Sequence, residues 1–370
     1  MEHLFPNLLL LLTLIACQNN TETVQEENME EKPMEWLTYE GAKDKKIVLV
    51  SGDEEYRSEE ALPQLAKILN THHGFNCQVL FTQHPDTPGI VDPNYSYNIS
   101  GLEALEDADL MILFTRFRAL PNEQMQYFQN YLSKGKPIIG IRTATHAFHF
   151  KDTTHQWKHW GNYNKEEGST WDGGFGRLVL GEKWHTHHGH HKHQSTRGLI
   201  AENASDHPIT NGIKDSDIWG STDVYGVRLP LPNNAQHLIL GQVIDRAGEY
   251  DENDLFYGMR DTDDIVAKVN PATKTPYNPN DPMMPIAWIK DYQLPDGEQG
   301  KAFTSTIGAS ADLLNEGVRR LLVNATYHLL DLEVPEKAKV DLVGEYEPSQ
   351  FNFHDDTYWR EKRILIEDLK

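Results

Sequence analysis

The chain has 370 residues, room for one large domain or two ordinary ones, and a 38% hydrophobic content with 8 Trp, 15 Tyr and 13 Phe excludes wholesale disorder. Thirty-four Lys and Arg against 56 Asp and Glu leave a formal charge of −22, the reverse of a phosphate-neutralising surface, which argues against nucleic acid as a partner. Two cysteines, Cys17 and Cys77, are too few for a disulfide framework or a thiolate zinc site, whereas 18 His are an excess that asks for a purpose.

Residues 4–16 read LFPNLLLLLTLIA, shorter than the roughly 20 residues of a membrane span but of the length of a signal-peptide core. The run ends in Leu14-Ile15-Ala16-Cys17, which resembles a bacterial lipobox, although the preceding segment carries Glu2 and no Lys or Arg. Residues 1–16 are therefore expected to be a lipoprotein signal and Cys17 the lipidated first residue of the mature chain. That places the protein outside the bacterial cytoplasm, periplasm-facing or at the cell surface, with a lipid anchor as its only membrane contact. Residues 17–44, polar and acidic as far as Trp36, read as a flexible tether.

Residues 47–51 (IVLVS) form an uninterrupted β-branched run, as in a strand buried on both faces of a parallel sheet. Leu62, Leu65, Ile68 and Leu69 give helical spacing over 59–71, with Pro63 near the expected start. Strands follow at 77–81 and 109–115, then a helix at 121–133 with Pro at its start, then a strand at 137–141. This alternation predicts an open, mostly parallel, doubly wound α/β sheet with helices on both faces. After Phe150 the pattern loosens into Trp-, Gly- and His-rich loops. Strands are predicted again at 224–228, 238–244, 285–289 and 302–307, and a closing helix at 313–330. The folded domain is expected over 45–335, with residues 245–284 as a lid insertion and 336–370 as a C-terminal extension.

Ligands of open α/β sheets bind beyond the carboxyl ends of the strands. Those ends carry Asp53-Glu54-Glu55-Tyr56-Arg57, Arg116-Phe117-Arg118 and Arg142-Thr143-Ala144-Thr145-His146. Glu54, Glu55, Arg142 and His146 are the candidate acid–base and electrophilic groups, and Tyr56, Arg57, Arg116, Arg118 and Thr143 the candidate substrate contacts, joined by Asp223 and Tyr225. The competing reading is a structural ion-pair network of Glu54 or Glu55 with Arg116, Arg118 or Arg142. Six imidazoles crowd the nine residues 185–193, and His187, His188 and His190 are candidate ligands of a divalent transition metal, strengthened if Glu182 or Asp223 joins them. A solvated loop is the plain alternative. Trp171, with Trp157 and Trp160, could present a flat platform to a sugar ring, or be core. Gly173-Gly174-Phe175-Gly176 lacks the flanking strand and helix of a dinucleotide fingerprint.

GDEEYR after the first strand, FTRFR after the third, GIRTATHAF after the fourth, His207-Pro208-Ile209 with Gly212-Ile213, Thr222-Asp223-Val224-Tyr225, and GASAD before the last helix together resemble the ThuA-like (trehalose-utilisation) proteins over residues 45–332. The resemblance implies a class I glutamine amidotransferase-like, flavodoxin-related fold and a role in processing disaccharides and their oxidised keto forms. An amidotransferase carries its nucleophilic Cys in a Gly-x-Cys-x-Gly elbow. Here Gly140-Ile141-Arg142-Thr143-Ala144 puts Arg142 in that place, so glutaminase chemistry is excluded. The family's late Gly-His-Asp reads Gly308-Ala309-Ser310-Ala311-Asp312, which removes that imidazole. The expected function is acid–base chemistry on a small-molecule sugar, a keto-sugar or disaccharide derivative, as an isomerase, lyase or hydrolase. Carbohydrate binding without turnover is the alternative, and metal sequestration by the His tract a third.

Overall fold

The computed structural model describes Met1 and residues 32–370, and residues 2–31, with the expected signal and Cys17, lie outside the described residues. Pro33–Lys370 forms one compact unit.

Strand β2 (Lys46–Gly52) is buried along almost its whole length. Ile47 and Leu49 pack into one apolar cluster and Val48 and Val50 into another, so the strand is covered on both sides as its uninterrupted apolar run predicts. Helices α1 (Ser58–His73) and α3 (Glu316–Leu329) supply Leu62, Leu65, Ile68, Val318, Leu321 and Leu322 to the first cluster. Helix α2 (Asn122–Ser133) supplies Met125, Phe128 and Leu132 to the second. Strands β3 (Asn76–Phe81), β4 (Leu110–Thr115), β5 (Ile138–Ile141) and β11 (Gln299–Ser305) join β2 in parallel, in the order β3-β2-β4-β5-β11. Helix α1 starts at Ser58, ahead of Pro63, which sits inside the helix rather than at its start.

The sheet as a whole is mixed, with the parallel strands forming one half. Beyond β11 it continues antiparallel through β10 (Met284–Gln293), β8 (Gln236–Asp245), β6 (Gln194–Ile200) and β7 (Ile218–Gly220), with β9 (Ile265–Val266) on β8. At the opposite edge β1 (Trp36–Tyr39) pairs antiparallel with β3, so part of the expected tether is a strand, held by fully buried Leu37. The strand predicted at 224–228 is absent: only Tyr225 pairs, in a single bridge to His187. Within 245–284, Tyr257, Met259 and Ala267 are buried, so the segment is packed against the body. The C-terminal residues run over the surface through helix α4 (Asp356–Lys362) and bury Phe351 and Ile366 completely. No helix among the described residues is long and apolar enough to cross a membrane.

Candidate active site

Strand β5 ends at a sharp turn in which Arg142 has φ 47°, a left-handed conformation uncommon outside glycine. The turn sends the Arg142 side chain inward, where it is fully buried. Its Nη1 donates to the carbonyls of Asp223 (2.7 Å) and Thr306 (2.6 Å), and its Nη2 to Asp223 Oδ1 (3.0 Å) and the Tyr56 hydroxyl (3.1 Å). The rings of Tyr56 and Tyr225 lie 4.4 and 4.0 Å from the guanidinium carbon. With these contacts made, Arg142 holds the site together and does not face its mouth, contrary to the expected electrophilic role; Tyr56 and Tyr225, both buried, enclose it.

Asp223 is the hub. Its carboxylate accepts from His187 Nδ1 at 2.7 Å on Oδ2 and from His191 Nδ1 at 3.1 Å on Oδ1. Burial works to raise its pKa, but the hydrogen bonds from His187 and His191, with the charge of Arg142, hold it far below the usual carboxylate range. Asp312, at the end of the GASAD segment, supports this from behind by accepting from Thr222 Oγ1 (2.7 Å) and the backbone N–H groups of Gly308 and Ala309 (both 3.1 Å).

The potential ligand atoms of His187, His191 and Asp223 lie within 4.8 Å of one another. Two imidazoles and a carboxylate are a donor set suited to a divalent transition metal, and three protein ligands leave room for substrate. This corrects the expected trio. His188 Nε2 is 2.6 Å from the Pro279 carbonyl, and His190 faces the His191 carbonyl (3.3 Å) and the His193 ring (4.8 Å between centroids). The reason is a tight turn: the N–H groups of His188 and Gly189 both donate to the Val224 carbonyl, and a Cβ on Gly189 would sit 3.3 Å from Asp223 Cβ. The turn leaves His187 and His191, four residues apart, on the side of Asp223. Glu182 is unavailable, bound by Arg228 (2.6 Å) and Arg177 (3.2 Å).

The acids after β2 divide by role. Buried Asp53 accepts from the N–H groups of Glu55 (2.8 Å) and Tyr56 and from Thr143 Oγ1 (2.5 Å), which ties the β2 loop to the β5 turn and makes Thr143 a positioning residue. Glu54 is clamped by Arg116 Nη1 and by Arg118 Nη2 (2.6 Å), and Arg118 also donates to the carbonyls of Pro93 (2.9 Å) and Tyr95 (3.3 Å). For Glu54 and Arg118 the structural network is what the geometry delivers. Arg57 turns away toward the carbonyls of Glu54 (2.6 Å) and Asn352 (3.1 Å) and lies 4.5 Å from the Trp359 ring.

Glu55 faces the hub. Its carboxylate lies 3.4 Å from His191 Nε2 and 3.5 Å from Arg116 Nε. Burial and then the neighbouring Asp53 raise its pKa to about 7, against the pull of Arg116 and Arg142. His146 is buried as well. Its pKa is driven well down by burial and by the charges of Arg116 and Arg142, and its Nδ1 is 3.2 Å from Thr145 Oγ1. Its ring packs on Phe117 (4.9 Å) and Trp184 (5.4 Å). The groups that reach solvent most are His187, with 38% of its side chain exposed, His191 with 24%, Arg116 with 19% and Glu54 with 17%. Trp171 stands apart, stacked on Trp160 at 5.1 Å and edge-on to His159, and Trp157 and Trp160 are buried core. Three contributors escaped the sequence reading. His191 had a signal in its spacing from His187, whereas Phe351 and Asn352, which reach the site from the C-terminal segment, had none.

A sequence model of the ThuA family, described as trehalose utilisation, matches residues 46–329. A ThuA-like protein from Parabacteroides merdae is 13% identical over 84% of this chain and 98% of its own, with a TM-score of 0.45. Another from Bacteroides uniformis is 15% identical over 77% and 90%, with a TM-score of 0.44. No curated protein matches the chain.

Proposed function

The chain belongs to the ThuA family, and on that premise we propose that it is an enzyme acting by acid–base chemistry on a carbonyl-bearing carbohydrate, a keto-sugar or disaccharide derivative. The observation that carries this reading is Glu55, a carboxyl with its pKa at about 7, placed 3.4 Å from His191 at the edge of the Asp223 hub. A base of that pKa at neutral pH is suited to removing a proton from a carbon beside a carbonyl. Arg116, beside Glu55, would share the charge that develops on the carbonyl oxygen. His187, His191 and Asp223 would hold a divalent transition metal, which when bound supplies Lewis-acid polarisation of that oxygen. Isomerisation, epimerisation and elimination of a glycosidic bond all begin with this proton abstraction.

Two finer readings go with it. We read the parallel half as flavodoxin-like, a reading supported by its five strands running 2-1-3-4-5 in order of appearance. The protein is a lipid-anchored extracytoplasmic lipoprotein, on the strength of Leu14-Ile15-Ala16-Cys17 alone. The test of function is deuterium uptake. A keto-disaccharide incubated with the protein in D2O should gain deuterium beside its carbonyl by NMR, and Glu55→Gln should abolish the uptake. Uptake that persists in Glu55→Gln would remove Glu55 from the chemistry. The second reading, binding without turnover, is favoured by the burial of Arg142 where related folds carry a nucleophile. It predicts saturable binding with the sugar recovered unchanged by mass spectrometry.

A further inference from the structure

Residues 351–353 lie beyond the family match, which ends at 329, yet they border the same site. The buried ring of Phe351 packs on Tyr56 (5.3 Å), His191 (5.3 Å) and Tyr257 (5.0 Å). The Asn352 N–H donates to the Glu55 carbonyl at 2.9 Å, and its Oδ1 accepts from Lys192 Nζ at 2.9 Å. The segment is thus fastened to the acidic loop on one side and to the His loop on the other. Phe353 comes next, and it is 50% exposed. Its ring lies 4.8 Å from the guanidinium carbon of Arg116, which also lies 4.7 Å from Phe117. Phe117 in turn stacks at 5.7 Å on Tyr163, itself 51% exposed.

We propose that this C-terminal segment is a wall of the binding site and that Phe353 contacts the bound sugar. The inference rests on the carbohydrate reading above. A pyranose has an apolar C–H face and a rim of hydroxyls; a half-exposed aromatic ring beside a guanidinium offers a partner to each. Arg116 joins the two regions, since it touches both Phe353 and Glu55. A sugar lying on Phe353 is thereby brought toward the Glu55 carboxylate. The opposing account is that Phe353 only shields Arg116 from water.

The experiment is calorimetric titration of the purified protein with trehalose and with its singly oxidised keto form. Phe353→Ala should weaken the Kd of the bound sugar about tenfold, and Phe353→Tyr, which keeps the ring, should restore it. Glu55→Gln should lose turnover with Kd within about twofold of the parent. An unchanged Kd in Phe353→Ala beside normal turnover overturns the wall and leaves the proposed chemistry standing. A Kd sensitive to Phe353 in a protein that turns over neither sugar supports the wall and removes the catalytic reading. Binding of neither sugar by the parent protein overturns both.

Discussion

Two carboxyls in the fold, Glu55 and Glu59, are buried and have pKa values raised from 4.5 to about 7, chiefly by burial. Glu59 lacks any hydrogen-bond partner for either oxygen, and its nearest cation is Arg57 Nε at 3.6 Å. A folded-state pKa above the unfolded value means stability that is whole below about 4.5 and lost as pH rises through about 7. For a shift of this size, each carboxyl should remove about 2 kcal/mol of stability between about pH 5.5 and 8.5. Glu59→Gln cannot ionise, so relative to the parent it should gain about that much over the same interval. Urea unfolding at the two pH values measures the difference directly. A Glu59→Gln difference that does not change with pH would show that the carboxyl titrates normally and that the burial argument fails. Glu55→Gln should show the same stability signature. It alone should also lose turnover, and the parent's kcat/KM should rise with pH through about 7, because a general base must be ionised to act.

Other consequences are separable from that one. Arg142→Met leaves Asp223 buried without its strongest cation and should cost about 3–5 kcal/mol in chemical denaturation; combining it with Asp223→Asn should cost less than the two single losses added. Elemental analysis after purification without added metal or chelator should find about one equivalent of a transition metal, lost in His187→Ala and in His191→Ala but retained in His188→Ala and His190→Ala. Equal retention in all four would dismiss the metal site. Trp171→Ala should cost about 3 kcal/mol or less in packing and leave sugar affinity unchanged, because the ring lies in the aromatic cluster of Trp160 and not at the site.

The parallel half was legible because strands buried on both faces must be continuously apolar, and β2 and β4 are. Strands β6 and β7 were not: Gln194–Ile200 reads QSTRGLI, and its Gln194, Ser195 and Thr196 are buried as polar residues. Two of these side chains are accommodated by tertiary hydrogen bonds, Gln194 to Asp245 and Thr196 to the Thr222 carbonyl, which no periodicity reveals. The rim residues were legible as a set because they follow strand ends. Their division into roles was not, since one acidic run places Asp53 inward as a clamp, Glu54 between two arginines and Glu55 toward the hub. Three adjacent acids acquire three environments from the path of a single loop.

Arg142 shows how a strained turn can serve as a structural tie. A non-glycine residue at φ 47° costs on the order of 1 kcal/mol or more, so the conformation persists only where its surroundings determine it. Here the surroundings are Thr306, which follows β11, Tyr56, which follows β2, and Asp223, which follows β7 in the antiparallel half. One guanidinium therefore joins the carboxyl-end loops of the parallel strands to the antiparallel extension. A thiol in the same place would be too short to make those bonds and has no such fork of donors. The turn is therefore a tie, and what it holds in place is the Asp223 carboxylate with its two imidazoles and the Glu55 carboxyl beside them.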